Sequence, residues 1–237
     1  MISVTILAKN SGRTLRQVLA SLSFFEEVIV ADTGSTDDTK EIAASFPNVR
    51  LIDLAFTGFG PTHNAASALA KHDWVFSLDS DEVLPLALQE EILSLSLQPK
   101  TVYSVARKNF YRDKWVWSCG WWPDRVVRIY NRKETSFSNV PVHEAIITTG
   151  FKVVSLQNPL HHTPFLSVSD FLQKLDRYTT LAAQGKTASS SAPFFHGVAA
   201  FFKSYIIKRG VFQGSLGFEI SLYNALSSYY KYLKRTK

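Results

Sequence analysis

Four short apolar runs, at residues 4–7, 28–31, 49–54 and 73–78, set what this chain can fold into. The first, second and fourth read as buried strands, and the third, Val-Arg-Leu-Ile-Asp-Leu, as a further strand. Helical patterns lie between them. Ser11-Gly12 breaks the first run, and residues 13–22 place Leu15, Val18, Leu19 and Leu22 on one helical face. Ser35 or Thr36 can cap a second helix with Asp37 and Asp38 in its first turn, ending near Phe46-Pro47. A loop at 56–61 leads to a third helix over 62–71. Strands alternating with helices at this spacing predict a parallel sheet. The expected class is α/β, with a Rossmann-like central sheet, mostly parallel, and an α-helical C-terminal extension.

The later pattern is less regular. Residues 85–97 predict a helix, and 102–111, 125–130 and 151–156 predict strands. Between the first two strands lie Trp115, Trp117, Trp121 and Trp122, four of the five tryptophans. Indole faces can carry a sugar ring or fill a core, and both readings stand. Residues 168–184 predict a helix with Phe171, Leu172, Leu175, Tyr178 and Leu181 on one face. A small, polar stretch at 185–192 reads as a linker or mobile loop, and two amphipathic helices are expected at 194–208 and 216–233.

Hydrophobic residues are 46% of the 237, enough for a sizeable core. The single cysteine, Cys119, excludes an internal disulfide and a cysteine-based zinc site, and a reducing cytoplasm is expected. Residues 1–7 run directly into a strand pattern, so no signal peptide is expected, and no run is long enough to predict a transmembrane helix. Net charge is +6, with the excess concentrated late. From Phe194 onward, Lys203, Lys208, Arg209, Lys231, Lys234, Arg235 and Lys237 face one acid, Glu219, among many aromatics. Such an end suits an anionic membrane surface or nucleic acid, or is simply a solvated face. No nucleic-acid motif accompanies it, so the membrane is the favoured partner and no nucleic acid is expected.

The fourth run, Trp74-Val75-Phe76-Ser77-Leu78-Asp79-Ser80-Asp81-Glu82, ends in three carboxylates within four residues. Charge is costly in a buried strand, so these acids belong where the strand leaves the sheet. In extended backbone Asp79 and Asp81 point to one side. Two hard oxygen ligands there suit Mg²⁺ or Mn²⁺, and through it a diphosphate; the alternative is a solvated turn. In parallel sheets ligands bind beyond the carboxyl ends of the strands, where Lys9-Asn10, Asp32, Asp79 and Asp81 all fall.

Three blocks carry a family resemblance: residues 4–10 (Val-Thr-Ile-Leu-Ala-Lys-Asn), residues 28–39 with Asp32-Thr33-Gly34-Ser35-Thr36-Asp37-Asp38-Thr39, and Asp79-Ser80-Asp81. In order and spacing the chain resembles the inverting family-two glycosyltransferases, which have the GT-A fold. Phe59-Gly60 with His63-Asn64-Ala65-Ala66, the Gly120-Trp121-Trp122-Pro123-Asp124 run, Arg128, Val142-His143-Glu144 and the His161-His162 pair look like the bacterial branch that adds glucose to the lipopolysaccharide inner core.

The resemblance implies a catalytic domain at 1–165, with a nucleotide-binding half at 1–98 and an acceptor half at 99–165, followed by a helical, membrane-associating region at 166–237. Asp32 would bind uridine and ribose of a UDP-sugar, with Ala8 and Asn10 lining the base pocket. Asp79 would face the nucleotide and share a Mg²⁺ or Mn²⁺ with Asp81, the principal ligand, and with His161 in preference to His162. Arg128, like Arg125, would reach phosphate or form ordinary salt bridges. An inverting transfer needs one base. The family's usual Glu-Asp pair is absent here, so Glu144 is the expected base, with His143 holding it and Asp124 the runner-up. The implied acceptor is a lipid-linked glycan at the inner face of the cell membrane. Rival readings are a sugar-nucleotide nucleotidyltransferase, which the Lys9-Asn10-Ser11-Gly12-Arg13 turn fits poorly, and a non-catalytic nucleotide-sugar- or membrane-binding module. A dehydrogenase is disfavoured because the first turn lacks G-x-G-x-x-G.

Overall fold

The computed structural model describes residues 1–139 and 144–236. The chain forms two compact units, residues 1–107 with 125–162, and residues 108–124 with 163–237. In chain order the elements are β1 (Ile2–Ala8), α1 (Gly12–Ala20), β2 (Val28–Asp32), α2 (Thr39–Ala44), β3 (Val49–Asp53), α3 (Phe59–Ala68), β4 (Trp74–Asp79), β5 (Glu82–Val83), α4 (Leu86–Leu93), β6 (Thr101–Tyr111), β7 (Lys114–Trp115), β8 (Asp124–Asn131), β9 (Lys152–Ser155), β10 (Leu160–Phe165), α5 (Val168–Ala183), α6 (Ala192–Phe202) and α7 (Gly214–Leu233). A π-helical turn, Lys203–Ile207, and a 3₁₀ turn, Gly210–Gln213, lie between the last two helices.

The strands form one mostly parallel sheet in the order β3-β2-β1-β4-β8-β6-β10-β5. The first four are parallel, and the register sets Ala8 beside Asp32 and Leu7 beside Asp79. The ends of β2 and β4 therefore flank the end of β1 at one level. Alternation along the strands explains two apolar layers. Val4, Ile6, Val28, Val30, Phe76 and Leu78 pack beneath Leu15, Val18 and Leu19 of α1. On the opposite side Ile29 and Val75 pack with Tyr130, Phe137 and Ile146.

The helix expected at 62–71 begins earlier, at Phe59. Pro61 falls in its first turn, where a missing N–H costs nothing because those groups have no intrahelical acceptor. The helix expected at 194–208 widens into the π turn after Phe202. The short strands β5 and β7 have no period of their own in the sequence and exist by pairing with β10 and β6.

The second unit is built on α5, α6 and α7. Ser167 caps α5 by accepting from the Asp170 N–H, while Asp170 accepts from the Leu166 N–H. Its core joins Tyr111, Val116, Cys119, Phe171, Leu175, Ile220 and Tyr223. Of the tryptophans, Trp121 packs against this core, Trp115 meets Trp122 edge-on at 5.6 Å, and Trp117 is exposed. Core packing therefore holds for Trp121.

Candidate active site at the strand ends

Asp32 closes β2 and is 1% exposed. Its Oδ2 accepts from the N–H groups of Gly34 at 3.0 Å and Ser35 at 2.9 Å, and Lys40 Nζ lies 3.6 Å away. Gly34 makes this possible with φ +97°, which side-chain-bearing residues rarely adopt. Burial pushes the Asp32 carboxyl up, but these hydrogen bonds and the Lys40 charge overcome it, so the acid is held below its ordinary range. The other oxygen, Oδ1, is buried and accepts no hydrogen bond from the described residues. A buried carboxylate oxygen without a donor costs free energy unless a ligand supplies one.

Asn10, at φ +53°, locks the neighbouring turn. Its N–H donates to Ser35 Oγ at 2.9 Å, and its Oδ1 accepts from the Thr36 N–H at 2.8 Å. Ala8, buried, accepts from the N–H and hydroxyl of Thr33. Both residues therefore brace the turn that follows Asp32.

β4 ends at Asp79, and Ser80 and Asp81 turn the chain into β5. The extended-backbone argument for Asp79 and Asp81 thus gives way to a turn. α1 pins this turn: Ser11 Oγ donates to Ser80 Oγ at 2.9 Å, and Thr14 Oγ1 donates to the Ser80 carbonyl at 2.7 Å. Sequence reasoning passed over these two residues, although both sit where a helix starts after β1.

Behind the turn lies a buried charge cluster. Glu82 is fully buried, and its Oε2 accepts from the Asp79 N–H at 3.1 Å. Arg128, 7% exposed, donates to both Asp79 Oδ2 and Glu82 Oε1. Arg107 approaches the same two oxygens at 3.9 and 3.6 Å. Burial drives the Glu82 carboxyl up to about 7 despite the arginines, whereas for Asp79 the Arg128 charge outweighs burial and holds the acid well down. Arg128 is therefore the counter-ion of the acids, the salt-bridge alternative of the two the sequence left open. The burial of Glu82 was not anticipated.

The register of β10 against β5 sets His161 beside Val83 and His162 beside Glu82. Neighbouring strand residues point to opposite faces, and the one that meets Asp81 is His162, its Nε2 3.5 Å from Asp81 Oδ1. Burial lowers His162 to about 4, so its ring is neutral at pH 7. Among the described residues no three of His, Cys, Asp and Glu are placed to hold a metal together, so Asp79, Asp81 and His161 are not assembled as a triad. The donor set that is present, one or two carboxylates and a neutral imidazole, suits a divalent cation completed by substrate oxygens and water.

The Gly60, His63 and Asn64 motif has a structural explanation. Asn64 reads both backbone groups of Phe137, donating to its carbonyl at 3.0 Å and accepting from its N–H at 2.8 Å. A Cβ on Gly60 would stand 2.0 Å from the Ser138 carbonyl oxygen. His63 stacks on Phe137 with ring centres 4.4 Å apart. Residues 136–138 pair with 145–147 through Ser138 N–H to Ala145 O and Ile147 N–H to Ser136 O. α3 thereby clamps the base of a hairpin that leads to Glu144, which is half-buried. His143 lies outside the described residues. Asp124, in the second unit, is half-buried near Asn109, whose Nδ2 lies 3.4 Å from its Oδ2.

The model of the glycosyl transferase family 2 matches residues 3–154. The chain belongs to this family. An uncharacterised glycosyltransferase of Rickettsia conorii is 28% identical over 254 residues, covering 100% of this chain and 89% of the relative. The lipopolysaccharide core biosynthesis glycosyltransferase LpsC of Rhizobium meliloti is 25% identical over 207 residues, covering 82% of this chain and 75% of LpsC. Among solved structures, residues 1–349 of S. aureus TarS superpose with TM-score 0.52 at 14% identity, over 97% of this chain and 89% of that one. Against the longer TarS chain, also at 0.52, this chain spans 45% of the length. The fold is that of a GT-A glycosyltransferase.

Proposed function

We propose that this glycosyltransferase is a metal-dependent, inverting enzyme that moves a hexose, glucose from UDP-glucose, to a lipopolysaccharide core or other lipid-linked glycan. The observation that carries the donor half is Asp32 Oδ1, a buried acceptor without a donor at the end of β2. A uracil N–H or ribose hydroxyl is the group it lacks. TarS has been crystallised with UDP and with UDP-GlcNAc, which supports the nucleotide class. LpsC, named for lipopolysaccharide core biosynthesis, supports the acceptor class.

In this reading the Asp32 turn orients the nucleoside, and Ser11 and Thr14 fix the Asp79-Ser80-Asp81 turn so that its carboxylates face the diphosphate. Asp81 and His162, which meet at 3.5 Å, would hold Mg²⁺ or Mn²⁺ together with substrate oxygens and water. A cation there would supply neutralisation of the charge gathering on the departing diphosphate. Arg128 keeps Asp79 ionised and holds its carboxylate in place. Glu144 takes the proton from the acceptor hydroxyl as that oxygen attacks the anomeric carbon, with Asp124 the alternative base. The acceptor is lipid-anchored and is met at the cytoplasmic face of the membrane.

A UDP-release screen across several UDP-sugars, with and without Mg²⁺ or Mn²⁺ and with truncated lipopolysaccharide acceptors, tests this. Acceptor-dependent release from UDP-glucose supports it. Release from no UDP-sugar under any condition, or cation-independent release, contradicts it.

A further inference from the structure

Helix α6, APFFHGVAAFF, contains no charged residue. One stripe, Pro193, Gly197 and Ser204 of the following turn, is buried, with the position of a Gly197 Cβ 3.2 Å from Tyr229 Cβ on α7. The opposite stripe, Phe195, Val198, Phe202 and Ile206, faces outward, with Phe195 66% and Phe202 57% exposed. Ile207 at 75% and Phe212 at 73%, in the two turns that follow, are exposed as well. A helix apolar all round belongs in a core or at a membrane, and an exposed apolar crest of this length marks a docking surface.

We propose that this crest docks on an anionic lipid bilayer. Charge decides the occupant. Lys203, Lys208 and Arg209 flank the crest and are exposed, and no Asp or Glu lies between Asp176 and Glu219. Glu219 itself takes the hydroxyls of Tyr111 and Tyr223. A second copy of this chain would bring the same cations against one another, whereas anionic headgroups pair with all three while the aromatics enter the acyl boundary. No described helix is long and apolar enough to cross a membrane, so α6 lies along the surface.

The test is co-sedimentation of the full chain with vesicles of phosphatidylcholine alone or mixed with phosphatidylglycerol. The protein is expected to bind the anionic vesicles and to be released by salt. Lys203→Gln/Lys208→Gln/Arg209→Gln is expected to lower the partition coefficient about a hundred-fold, from roughly five-fold per cation. Phe195→Ser/Phe202→Ser should lower it at least about ten-fold, with unchanged thermal unfolding because both rings already face water. The proposal is overturned if the wild type stays in the supernatant with anionic vesicles, or if the double serine variant binds as the wild type does. It is equally overturned if light scattering shows a dimer that this variant dissociates. Transfer to a water-soluble acceptor does not use this surface, so that assay reads the catalytic proposal separately.

Discussion

Replacing Arg128 by Met tests the buried cluster behind the catalytic turn. Arg128 is 7% exposed and is the nearest cation to fully buried Glu82. Without it, among the described residues, Glu82 keeps Arg107, at 3.6 Å, and the Asp79 N–H. Removing one partner of a buried ion pair costs about 3–5 kcal/mol when the survivor stays charged. Glu82, already raised to about 7, takes a proton instead and Arg107 remains, so the expected loss lies below that range, about 2 kcal/mol. At roughly 2–4 °C per kcal/mol for a chain of this size, the melting temperature should fall by about 4–8 °C. Asp79→Asn is the internal comparison. Its side chain is 39% exposed, so solvent compensates and the loss should stay below about 1 kcal/mol. The double variant Arg128→Met/Glu82→Met removes both charges and should recover at least half of the loss. Urea unfolding followed by circular dichroism gives all three values. An Arg128→Met protein within about 1 kcal/mol of the wild type, or a double variant no more stable than the single, refutes the reasoning.

Three further outcomes follow from the geometry. His63 is buried, and burial lowers it to about 4 from an unfolded value of 6.5, so the folded state binds fewer protons in that window. Its contribution to stability is therefore full above pH 6.5 and falls by about 3 kcal/mol as the pH drops to about 4; His162 acts in the same direction and Glu82, raised to about 7, in the opposite one, so His63→Gln should flatten the loss of stability between about pH 6.5 and 4.5, and an unchanged slope would exclude His63. Gly60→Ala must displace the Ser138 carbonyl from a 2.0 Å clash, so it should cost about 1–3 kcal/mol and lower kcat through the Glu144 hairpin; wild-type turnover and melting would show that α3 does not clamp that hairpin. Glu144→Gln should remove transfer while leaving UDP affinity intact, which turnover and calorimetry on one preparation will show; near-normal turnover would return the base to Asp124.

Period and break residues made the parallel half of the sheet legible. Its three inner runs are mostly buried, the edge run at β3 is not, and Gly34 and Ser11-Gly12 mark the turns. The placement of Asp32 and the Asp79-Ser80-Asp81 segment at strand ends was legible for the same reason. The partners of the acids were not. Glu82 and Arg128 are 46 residues apart, and only the antiparallel pairing of β8 with β4 brings them together. Likewise, nothing local separates His161 from His162. The register of the two-residue strand β5 decides which one meets Asp81. The His63-Asn64 motif was visible as a motif, but its work on Phe137 is a contact over 73 residues.

Calorimetric titration of UDP into the wild type and into Asp32→Ala, each with and without Mn²⁺, addresses the central claim most directly. A cation held at Asp81 should assist UDP binding in the wild type, and loss of the buried Asp32 acceptor should weaken UDP binding about 10- to 100-fold in Asp32→Ala, the loss of one charge-assisted hydrogen bond. Equal UDP affinity in the two proteins, or affinity indifferent to the cation, would contradict it.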